Sequence, residues 1–390
     1  MSLAIDLTTL YALAPALPWV LFPFVAIWRV RRPTTLEQFP ARPPDDAPLV
    51  SVVIPARNER RNVERCLRSV LAARYPGFEV LLVDDHSDDG TGEIARAIAR
   101  ADPRLRVLES PPLPSGWFGK QWACTTGARV THGDVLMFAD ADTEQAPDLL
   151  PRAVNAMRAL HADLMSVAGR QELGSFWERV LQPQVFMMLF VRYGGTQGVN
   201  RARRPEDVIA NGQCFLVGRD TYEAIGGHEA VRENVAEDLM LAQATRRAGR
   251  RVRFVLGPDQ LSTRMYTSLQ ELIEGWGKNV YAAGLYTAPF GALGRALYPI
   301  VLVVAPLFPL VPVVALVLAL AGVFPGALAW STTATVAMVM WWALVYRQLE
   351  EPAPYSLVYP LGSAMLFYIC ARAVLRGRRV AWKGREYLAR

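Results

Sequence analysis

The sequence of 390 residues contains a run of 51 residues without a charged side chain, from Ala296 to Tyr346. A helix needs about 20 apolar residues to cross the hydrocarbon core of a bilayer. Two shorter charge-free runs, Leu7–Trp28 and Pro352–Ala371, lie near the two ends of the sequence. We therefore predict transmembrane helices at both ends of the chain and a soluble domain between them.

The lengths of these runs predict the organisation of the chain. The first run is long enough to span once, and the second is long enough for a hairpin that turns near Gly322, whereas the proline-rich third run is marginal. The predicted segments are an N-terminal transmembrane anchor (1–32), a proline-rich linker (33–48), a soluble domain (49–260), interfacial helices (261–295), transmembrane or re-entrant helices (296–371) and a basic tail (372–390).

Basic residues predict the orientation of these segments. Arg29, Arg31 and Arg32 follow the first run, and the tail carries seven basic residues against one acid, Glu386. Because basic flanks stay on the cytoplasmic side, we expect the soluble domain and the tail to be cytoplasmic and Met1 to be outside. An even number of crossings must then follow the domain, so one C-terminal helix is expected to be re-entrant or interfacial.

Charge and cysteine content argue against two classes of site. The net charge is +6, and its basic excess clusters beside the apolar runs, where anionic lipid headgroups attract it, so we predict no nucleic-acid partner. The cysteines are scattered without a Cys-x-x-Cys pair, which supports neither a zinc site nor a disulfide framework. Their positions are Cys66, Cys124, Cys214 and Cys370.

The segment between the apolar runs alternates apolar strands with amphipathic helices. Predicted strands are Val50–Ile54, Phe78–Val83, Arg104–Leu108 and Val135–Ala139, and predicted helices are Arg60–Ala73 and Gly90–Arg100. This alternation is typical of βαβ units and predicts a Rossmann-like α/β domain with a mostly parallel sheet. Ligands of such sheets bind beyond the carboxyl ends of the strands.

Polar clusters follow the first, second and fourth predicted strands. Asp140 and Asp142 follow the fourth, and two residues spaced by two share one face of an extended backbone. Two carboxylates on one face repel unless a cation lies between them, and Mg²⁺ is typically held by one or two carboxylates plus substrate phosphates. We therefore predict a divalent metal site, for Mg²⁺ or Mn²⁺, at Asp140 and Asp142.

Four motifs, in this order, resemble those of the family 2 glycosyltransferases. They are Val52–Glu59, Leu82–Thr91, Asp140–Asp142 and Ala236–Leu239. The resemblance covers roughly residues 50–280 and implies a GT-A fold, a nucleotide-sugar donor and inverting transfer. Gly116–Ala123, Arg264–Tyr266 and the C-terminal membrane block resemble the branch that acts on lipids, which includes ceramide glucosyltransferases and carotenoid- and hopanoid-associated bacterial enzymes.

The resemblance implies roles for individual residues around the donor. Pro55, Ala56, Asn58 and Glu59 would form the loop around the base and ribose, Asp85 would contact the uracil or ribose, and Asp140 with Asp142 would hold the metal against the diphosphate. Gly212 opens a stretch that matches the donor-sugar loop loosely. Lys120, one of three lysines in the chain, could reach the donor phosphates or be a solvated loop residue.

Glu237 and Asp238 open an amphipathic helix. An acidic first turn that complements the helix dipole would explain one of these acids. The resemblance implies that Asp238 is the general base for the acceptor hydroxyl and that Glu237 orients the site. We expect Asp238→Asn to bind the donor normally and to abolish transfer.

One family motif is missing. Many family members carry Gln-x-x-Arg-Trp on a later membrane-proximal helix, whereas this chain has Glu274–Asn279 there. Trp276 and Lys278 could supply its aromatic ring and cation, and Arg264 is another candidate cation, but Trp and Lys also mark helices at a membrane interface. The absent motif argues against processive polysaccharide synthesis.

These observations predict a multi-pass cell-membrane glycosyltransferase with a cytoplasmic active site. The expected donor is a nucleotide-sugar of the UDP-hexose class. The expected acceptor is a hydroxylated lipid, either a carotenoid or related isoprenoid or a ceramide-like lipid. Two alternatives stay open: transfer to a polyprenyl phosphate, which needs no base, and a non-catalytic membrane scaffold that retains the fold. Intact Asp85, Asp140, Asp142 and Asp238 argue against the scaffold.

Overall fold

The computed structural model describes residues 11–30, 32–377, 379–382 and 385–388. The first ten residues of the predicted N-terminal anchor, including Met1, lie outside the described residues, as do Arg31 and part of the basic tail. Contacts divide the chain into a helical unit and a sheet unit. Among the described residues, the helical unit comprises 11–30, 173–194 and 266–377, and the sheet unit comprises 32–172, 195–265, 379–382 and 385–388.

The secondary structure alternates as predicted in the sheet unit and is helical elsewhere. In chain order the helices are α1 Leu17–Val30, α2 Val63–Leu71, α3 Thr91–Ala99, α4 Gly119–Arg129, α5 Leu149–Ala159, α6 Phe176–Tyr193, α7 Gly195–Arg201, α8 Arg219–Ala224, α9 Glu237–Arg247, α10 Leu269–Leu285, α11 Gly291–Val304, α12 Val311–Leu320, α13 Leu328–Gln348 and α14 Tyr359–Arg376. The strands are β1 Val50–Ala56, β2 Phe78–Asp84, β3 Leu105–Glu109, β4 Val135–Ala139, β5 Thr143–Gln145, β6 Leu164–Ala168, β7 Arg170–Gln171, β8 Cys214–Gly218, β9 Val252–Leu256, β10 Leu261–Thr263, β11 Arg379–Trp382 and β12 Arg385–Leu388.

Seven strands form the central sheet, in the order β3-β2-β1-β4-β8-β6-β9. Strand β8 runs antiparallel to both of its neighbours, and the other pairs are parallel. A smaller sheet has the order β5-β10-β7. The predicted mostly parallel α/β sheet is therefore confirmed.

Helices cover both faces of this sheet because successive side chains of a strand point to opposite faces. Val52 and Ile54 of β1 join the core cluster that includes Leu67 of α2. Val53, between them, faces α4, where Gly127 allows close approach. A Cβ at Gly127 would lie only 2.5 Å from Val53 Cγ1, so this helix packs directly against the strand.

The carboxyl ends of β1, β2 and β4 meet at one edge of the sheet. Ala56 at the end of β1 pairs with Asp84 at the end of β2, and Asp85 N–H donates to the Ala56 carbonyl at 2.8 Å. Ala139 at the end of β4 pairs with Cys214 at the start of antiparallel β8. The polar segments that follow β1, β2 and β4, together with the residues before β8, therefore share this edge.

Three predicted segments differ from the structure. The segment 261–295 was expected to be interfacial helices, but it begins with β10, which pairs with β5 and β7. The tail expected over 372–390 begins inside α14, which ends at Arg376, and its described remainder pairs β11 with β12. Residues 173–194 group with the helical unit, so the predicted boundaries 49–260 enclose a segment of that unit.

Four stretches of the helical unit are long and apolar enough to cross a membrane among the residues described. They are Tyr11–Arg29, Gly291–Leu320, Pro325–Gln348 and Ala353–Arg376. The predicted hairpin turn is confirmed, since α12 ends before Gly322, which has a φ of +79°, and α13 begins after it. The number of crossings and their orientation stay predictions.

Pro183 lies inside α6 and has no N–H to bond the carbonyl of Arg179, four residues earlier. The hydroxyl of Tyr346, in α13, donates a hydrogen bond of 2.8 Å to that carbonyl. A neighbouring helix thus satisfies the backbone group that the proline leaves without an intrahelical donor.

Trp19 of α1 satisfies a second carbonyl of this kind. Its indole Nε1 donates to the Phe308 carbonyl at 2.8 Å, and the two rings stack with their centroids 5.1 Å apart. Pro312, four residues after Phe308, cannot supply that bond. Side-chain donors from neighbouring helices therefore stabilise the proline-rich segments of the helical unit.

Candidate active site

Lys120 lies within an acidic cluster at the carboxyl edge of the central sheet. It stands in the first turn of α4, and its Nζ is 2.7 Å from Asp140 Oδ1 and 2.6 Å from Glu237 Oε1. Asp140 follows β4, and Glu237 opens α9. The side chains of Lys120 and Glu237 are only 22% and 7% exposed, so these ion pairs are largely shielded from solvent.

Asp238 is held by two main-chain N–H groups. Gly212 N–H donates to Oδ2 at 2.6 Å, and Leu239 N–H donates to Oδ1 at 2.7 Å. A Cβ at Gly212 would lie 3.0 Å from Lys120 Nζ and 3.2 Å from Asp238 Oδ2. The structure therefore brings the predicted residues Gly212, Lys120 and Asp238 together, and a larger residue at 212 would crowd both side chains.

The acidic groups of this cluster differ in pKa, because burial and neighbouring charges act on each of them differently. Burial and, to a smaller extent, the Glu237 carboxylate raise the pKa of Asp238 to about 7, against the opposing effect of Lys120. Burial also raises the pKa of Asp140. Burial alone would raise the pKa of Glu237, but the Lys120 ammonium outweighs it and the pKa is lowered. Asp238 is therefore the member of this cluster that exchanges its proton near neutral pH.

A tight turn joins Asp140 and Asp142. Thr143 closes it, since its N–H and its hydroxyl both donate to the Asp140 carbonyl, at 3.3 and 2.8 Å. The backbone turns at Ala141 and Asp142, so the argument that the two carboxylates share a face of an extended strand is wrong here. The turn, rather than the strand pleat, keeps the two acids near each other.

The carboxylate oxygens of this cluster are of the kind that bind a hard divalent cation. No cluster of three or more His, Cys, Asp or Glu side chains that could hold a metal occurs among the described residues. However, Mg²⁺ commonly uses one or two carboxylates and completes its shell with substrate phosphates and water. Asp140, Glu237 and Asp238 also place three acidic groups around the single ammonium of Lys120. Carboxylates of the kind that Asp140 and Asp142 supply would suit Mg²⁺ or Mn²⁺ together with a diphosphate, and the metal site at this pair stays a prediction.

Hydrogen bonds tie the segment after β1 to the segment after β2. Asn58, with a φ of +54°, accepts from Asp88 N–H at 3.1 Å and donates its own N–H to Ser87 Oγ at 3.0 Å. Glu59 N–H donates to Thr91 Oγ1 at 2.8 Å. Two of the predicted nucleotide-binding residues, Asn58 and Glu59, are thus fixed by the second motif.

Arg57 is a residue of this region that sequence reasoning missed. Its Nη1 donates to the Asp85 carbonyl at 2.6 Å and lies 3.7 Å from Asp85 Oδ2, and Asp85 is only 2% exposed. The signal was available, because Arg57 stands inside the first motif. Pro55 and Ala56, expected in a loop, are the last two residues of β1, because they continue its pairing with β2.

The remaining predicted site residues lie on other elements. Arg264 directly follows β10 and is half-buried. Trp276 and Lys278 lie on α10 in the helical unit, where Trp276 packs edge-on against Phe186 and near Tyr266, with centroid distances of 5.6 and 5.9 Å. Trp276 is therefore a core residue of its own unit, and a role for it or Lys278 at the donor stays a prediction.

Comparison with known proteins agrees with this architecture. The sequence profile described as Glycosyl transferase family 2 matches residues 51–226. A 4,4'-diaponeurosporenoate glycosyltransferase of Staphylococcus haemolyticus is 28% identical over 249 residues, which are 62% of this chain and 63% of that protein. Glycosyltransferase AglE of Haloferax volcanii is 37% identical over 120 residues, 30% of this chain and 38% of that protein. The chain thus spans less than two thirds of the length of these relatives.

A solved structure shares the fold over most of the chain. The mannosyltransferase PcManGT from Pyrobaculum calidifontis, in complex with GDP-Man and Mn²⁺, superposes with a TM-score of 0.61 at 21% identity. The superposition covers 93% of this chain and 99% of that chain. The chain therefore has a GT-A fold, its residues 51–226 match glycosyl transferase family 2, and it is similar in sequence to the carotenoid glycosyltransferases.

Proposed function

We propose that the protein transfers a hexose, with inversion, from a UDP-sugar to a hydroxyl group of a membrane lipid. The observation that carries this proposal is the convergence of Asp140, Glu237 and Asp238 around Lys120 and Gly212 at the ligand-binding edge of the sheet. A hydroxyl that attacks an anomeric carbon is assisted by a carboxylate that takes its proton, and a departing diphosphate is assisted by a cation that carboxylates hold.

Asp140 and Asp142 would hold the divalent cation in this reaction. When bound, a divalent cation stabilises the negative charge that gathers on the leaving nucleoside diphosphate, without needing a proton. The complex of PcManGT with GDP-Man and Mn²⁺ supports this assignment by analogy of fold. The segment from Pro55 to Glu59, together with Asp85, would bind the base and ribose.

Asp238 would take the proton of the acceptor hydroxyl. Its carboxylate is oriented by the N–H groups of Gly212 and Leu239, and its pKa, raised by burial to about 7, suits a base that works near neutral pH. Glu237, paired with Lys120 at 2.6 Å, stays ionised beside it and orients the site.

The acceptor is proposed to be a lipid because apolar helices accompany the catalytic domain. The four membrane-length stretches expose large apolar side chains such as Phe24, Ile300 and Met340. Related proteins from Staphylococcus are named for 4,4'-diaponeurosporenoate, a carotenoid acid, which supports the carotenoid class of lipid, although an acid, unlike a hydroxyl, is already ionised at neutral pH. A carotenoid or related isoprenoid is therefore our first choice and a ceramide-like lipid our second, with the active site on the cytoplasmic face of the cell membrane.

A labelling experiment tests the proposal. Membranes that contain the full-length protein are incubated with radiolabelled UDP-glucose, UDP-galactose, UDP-GlcNAc or GDP-mannose, and the lipids are extracted and identified. We expect one UDP-hexose to label a hydroxylated lipid when Mn²⁺ is present, and no labelling in EDTA or in Asp142→Ala. Labelled polyprenyl phosphate would identify the alternative acceptor, and no labelled lipid with any donor would support a scaffold.

A further inference from the structure

We propose that Lys120 competes with the divalent cation for Asp140, and that binding of the donor diphosphate relieves this competition. Lys120 is then a positioning residue that makes metal binding depend on the nucleotide. The inference rests on the proposed function, since it concerns the metal and the donor of the same site.

The geometry gives Asp140 two candidate cations. Lys120 Nζ already lies 2.7 Å from Asp140 Oδ1. A Mg²⁺ ion bonded to that oxygen at about 2.1 Å would lie no more than about 4.8 Å from the ammonium. With the Lys120 side chain only 22% exposed, water screens the repulsion between these cations poorly. Asp140 Oδ1 therefore cannot bind the Lys120 ammonium and the metal ion together without weakening one of the two interactions.

A diphosphate offers Lys120 a different partner. The lysine side chain is a compact point charge on a flexible four-carbon stem, so its ammonium can change partners while its backbone stays in place on α4. Glu237, 2.6 Å from Nζ, belongs to α9 and not to the predicted metal pair, so it can retain the ammonium during this change. Phosphate oxygens would then replace Asp140 Oδ1 as the second acceptor and release it to the metal.

This arrangement has a consequence for the order of binding. Without a nucleotide, the ammonium already neutralises Asp140, so the metal gains little from that carboxylate. When a nucleotide is bound, its diphosphate contacts both the ammonium and the metal ion. Each cation then stabilises the bound diphosphate, and neither displaces the other from Asp140. Metal and donor are therefore expected to bind as a unit, with metal alone binding weakly.

Titration of the purified full-length protein with Mn²⁺ tests this directly. Free Mn²⁺ is followed by electron paramagnetic resonance without any nucleotide, for wild type and for Lys120→Met. We expect Lys120→Met to bind Mn²⁺ about tenfold more tightly, in the usual range of coupling between two sites. In saturating UDP, the difference in Mn²⁺ affinity between Lys120→Met and wild type should become smaller or change sign, because Lys120 then helps to hold the diphosphate. Equal or weaker Mn²⁺ binding by Lys120→Met without nucleotide overturns the proposal.

Matched variants separate this effect from general changes of charge or folding. Arg129→Met removes a cation at the other end of α4, where it pairs at 2.9 Å with the exposed Glu229, and should leave the Mn²⁺ affinity unchanged. Lys120→Gln, which keeps hydrogen-bonding capacity but not the charge, should also bind Mn²⁺ more tightly than wild type. This variant tests the proposal if Lys120→Met does not fold. Adding Asp140→Asn to either variant should abolish the gain, and a gain that persists overturns the proposal.

Failure of this inference is distinguishable from failure of the proposed function. A wild-type protein that glycosylates lipid, but whose Lys120 variants gain no Mn²⁺ affinity, contradicts only the competition. A protein that glycosylates no lipid, but whose Lys120 variants bind Mn²⁺ more tightly through Asp140, contradicts the proposed function and supports the competition.

Discussion

The main-chain N–H of Gly212 donates a hydrogen bond of 2.6 Å to Oδ2 of Asp238. This bond joins the residues before β8 to the first turn of α9. Since the Leu239 N–H holds the other carboxylate oxygen at 2.7 Å, the orientation of Asp238 is fixed by the backbone rather than by a mobile side chain. A candidate base is thus positioned in advance, which favours general base catalysis.

Substitution of Gly212 by alanine should impair transfer more than folding. The new Cβ would lie 3.0 Å from Lys120 Nζ and 3.2 Å from Asp238 Oδ2, so both side chains must shift by a few tenths of an ångström. We expect kcat/KM to fall by about 10- to 100-fold, since small misplacements of reacting groups are costly. Gly326→Ala is the control, because nothing lies within 4 Å of that position. Equal losses in both variants would contradict the role of Gly212.

Asp238→Asn should separate donor binding from transfer. The asparagine keeps the shape of the side chain but cannot accept the acceptor proton, so we expect turnover to fall by about 10²- to 10⁴-fold. Binding of UDP, measured by calorimetry, should stay within about threefold of wild type, because Asp238 does not contact the donor in the proposed mechanism. Turnover that survives in this variant would point to an acceptor that is already ionised, such as a polyprenyl phosphate or the carboxylate of a carotenoid acid.

The raised pKa of Asp238 predicts opposite pH dependences for activity and stability. As a base it must be ionised, so kcat/KM should rise through pH 7 and level off above it. The folded protein holds this proton between the ordinary pKa of 3.8 and about 7, where the unfolded chain releases it, so this group's contribution to stability falls as pH rises across that window. Melting curves at pH 5 to 8 should show a shallower decline for Asp238→Asn than for wild type, and parallel curves would contradict the assignment.

Local patterns predicted four strands of the central sheet, β1 to β4, close to their observed bounds. The strand predicted over Val135–Ala139 has the same bounds as β4 in the structure. The aspartate that follows the apolar run marks where the strand ends. The three-residue strand Leu261–Thr263 was not predicted, since a segment this short has no measurable periodicity. Its pairing with β5 and β7 decides its conformation, and that pairing is tertiary.

The candidate site was predicted as a set of residues but not as an arrangement. The motif resemblance placed Asp140, Glu237 and Asp238 in one site. For Lys120 the sequence left two alternatives, a contact to the donor phosphates and a solvated loop residue. Only the fold reveals that Lys120 bridges Asp140 and Glu237, because these residues come from three elements far apart in sequence. Contacts of this kind depend on the packing of α4 and α9, which sequence patterns do not specify.

Asp142→Ala tests the predicted metal pair. Loss of one of two carboxylate ligands should reduce Mn²⁺-dependent turnover by at least about 10-fold, because few protein groups remain to hold the ion. Glu144→Ala is the matched control, since Glu144 is an exposed acid two residues away that pairs at 3.5 Å with Arg65. Turnover is measured over a range of Mn²⁺ concentrations. A normal Mn²⁺ dependence in Asp142→Ala would remove Asp142 from the metal site.

Tyr346→Phe should destabilise the helical unit without touching the candidate active site. The variant loses the 2.8 Å hydrogen bond to the Arg179 carbonyl, which Pro183 leaves without an intrahelical donor, and a buried acceptor without a partner costs about 1 to 3 kcal/mol. The melting temperature of the detergent-solubilised protein should fall, whereas Tyr368→Phe, at a half-exposed tyrosine, should have little effect. Adding Pro183→Ala restores an N–H to α6, so the loss caused by Tyr346→Phe should be smaller in that background. An equal loss in both backgrounds would show that the tyrosine hydroxyl does not compensate for the proline.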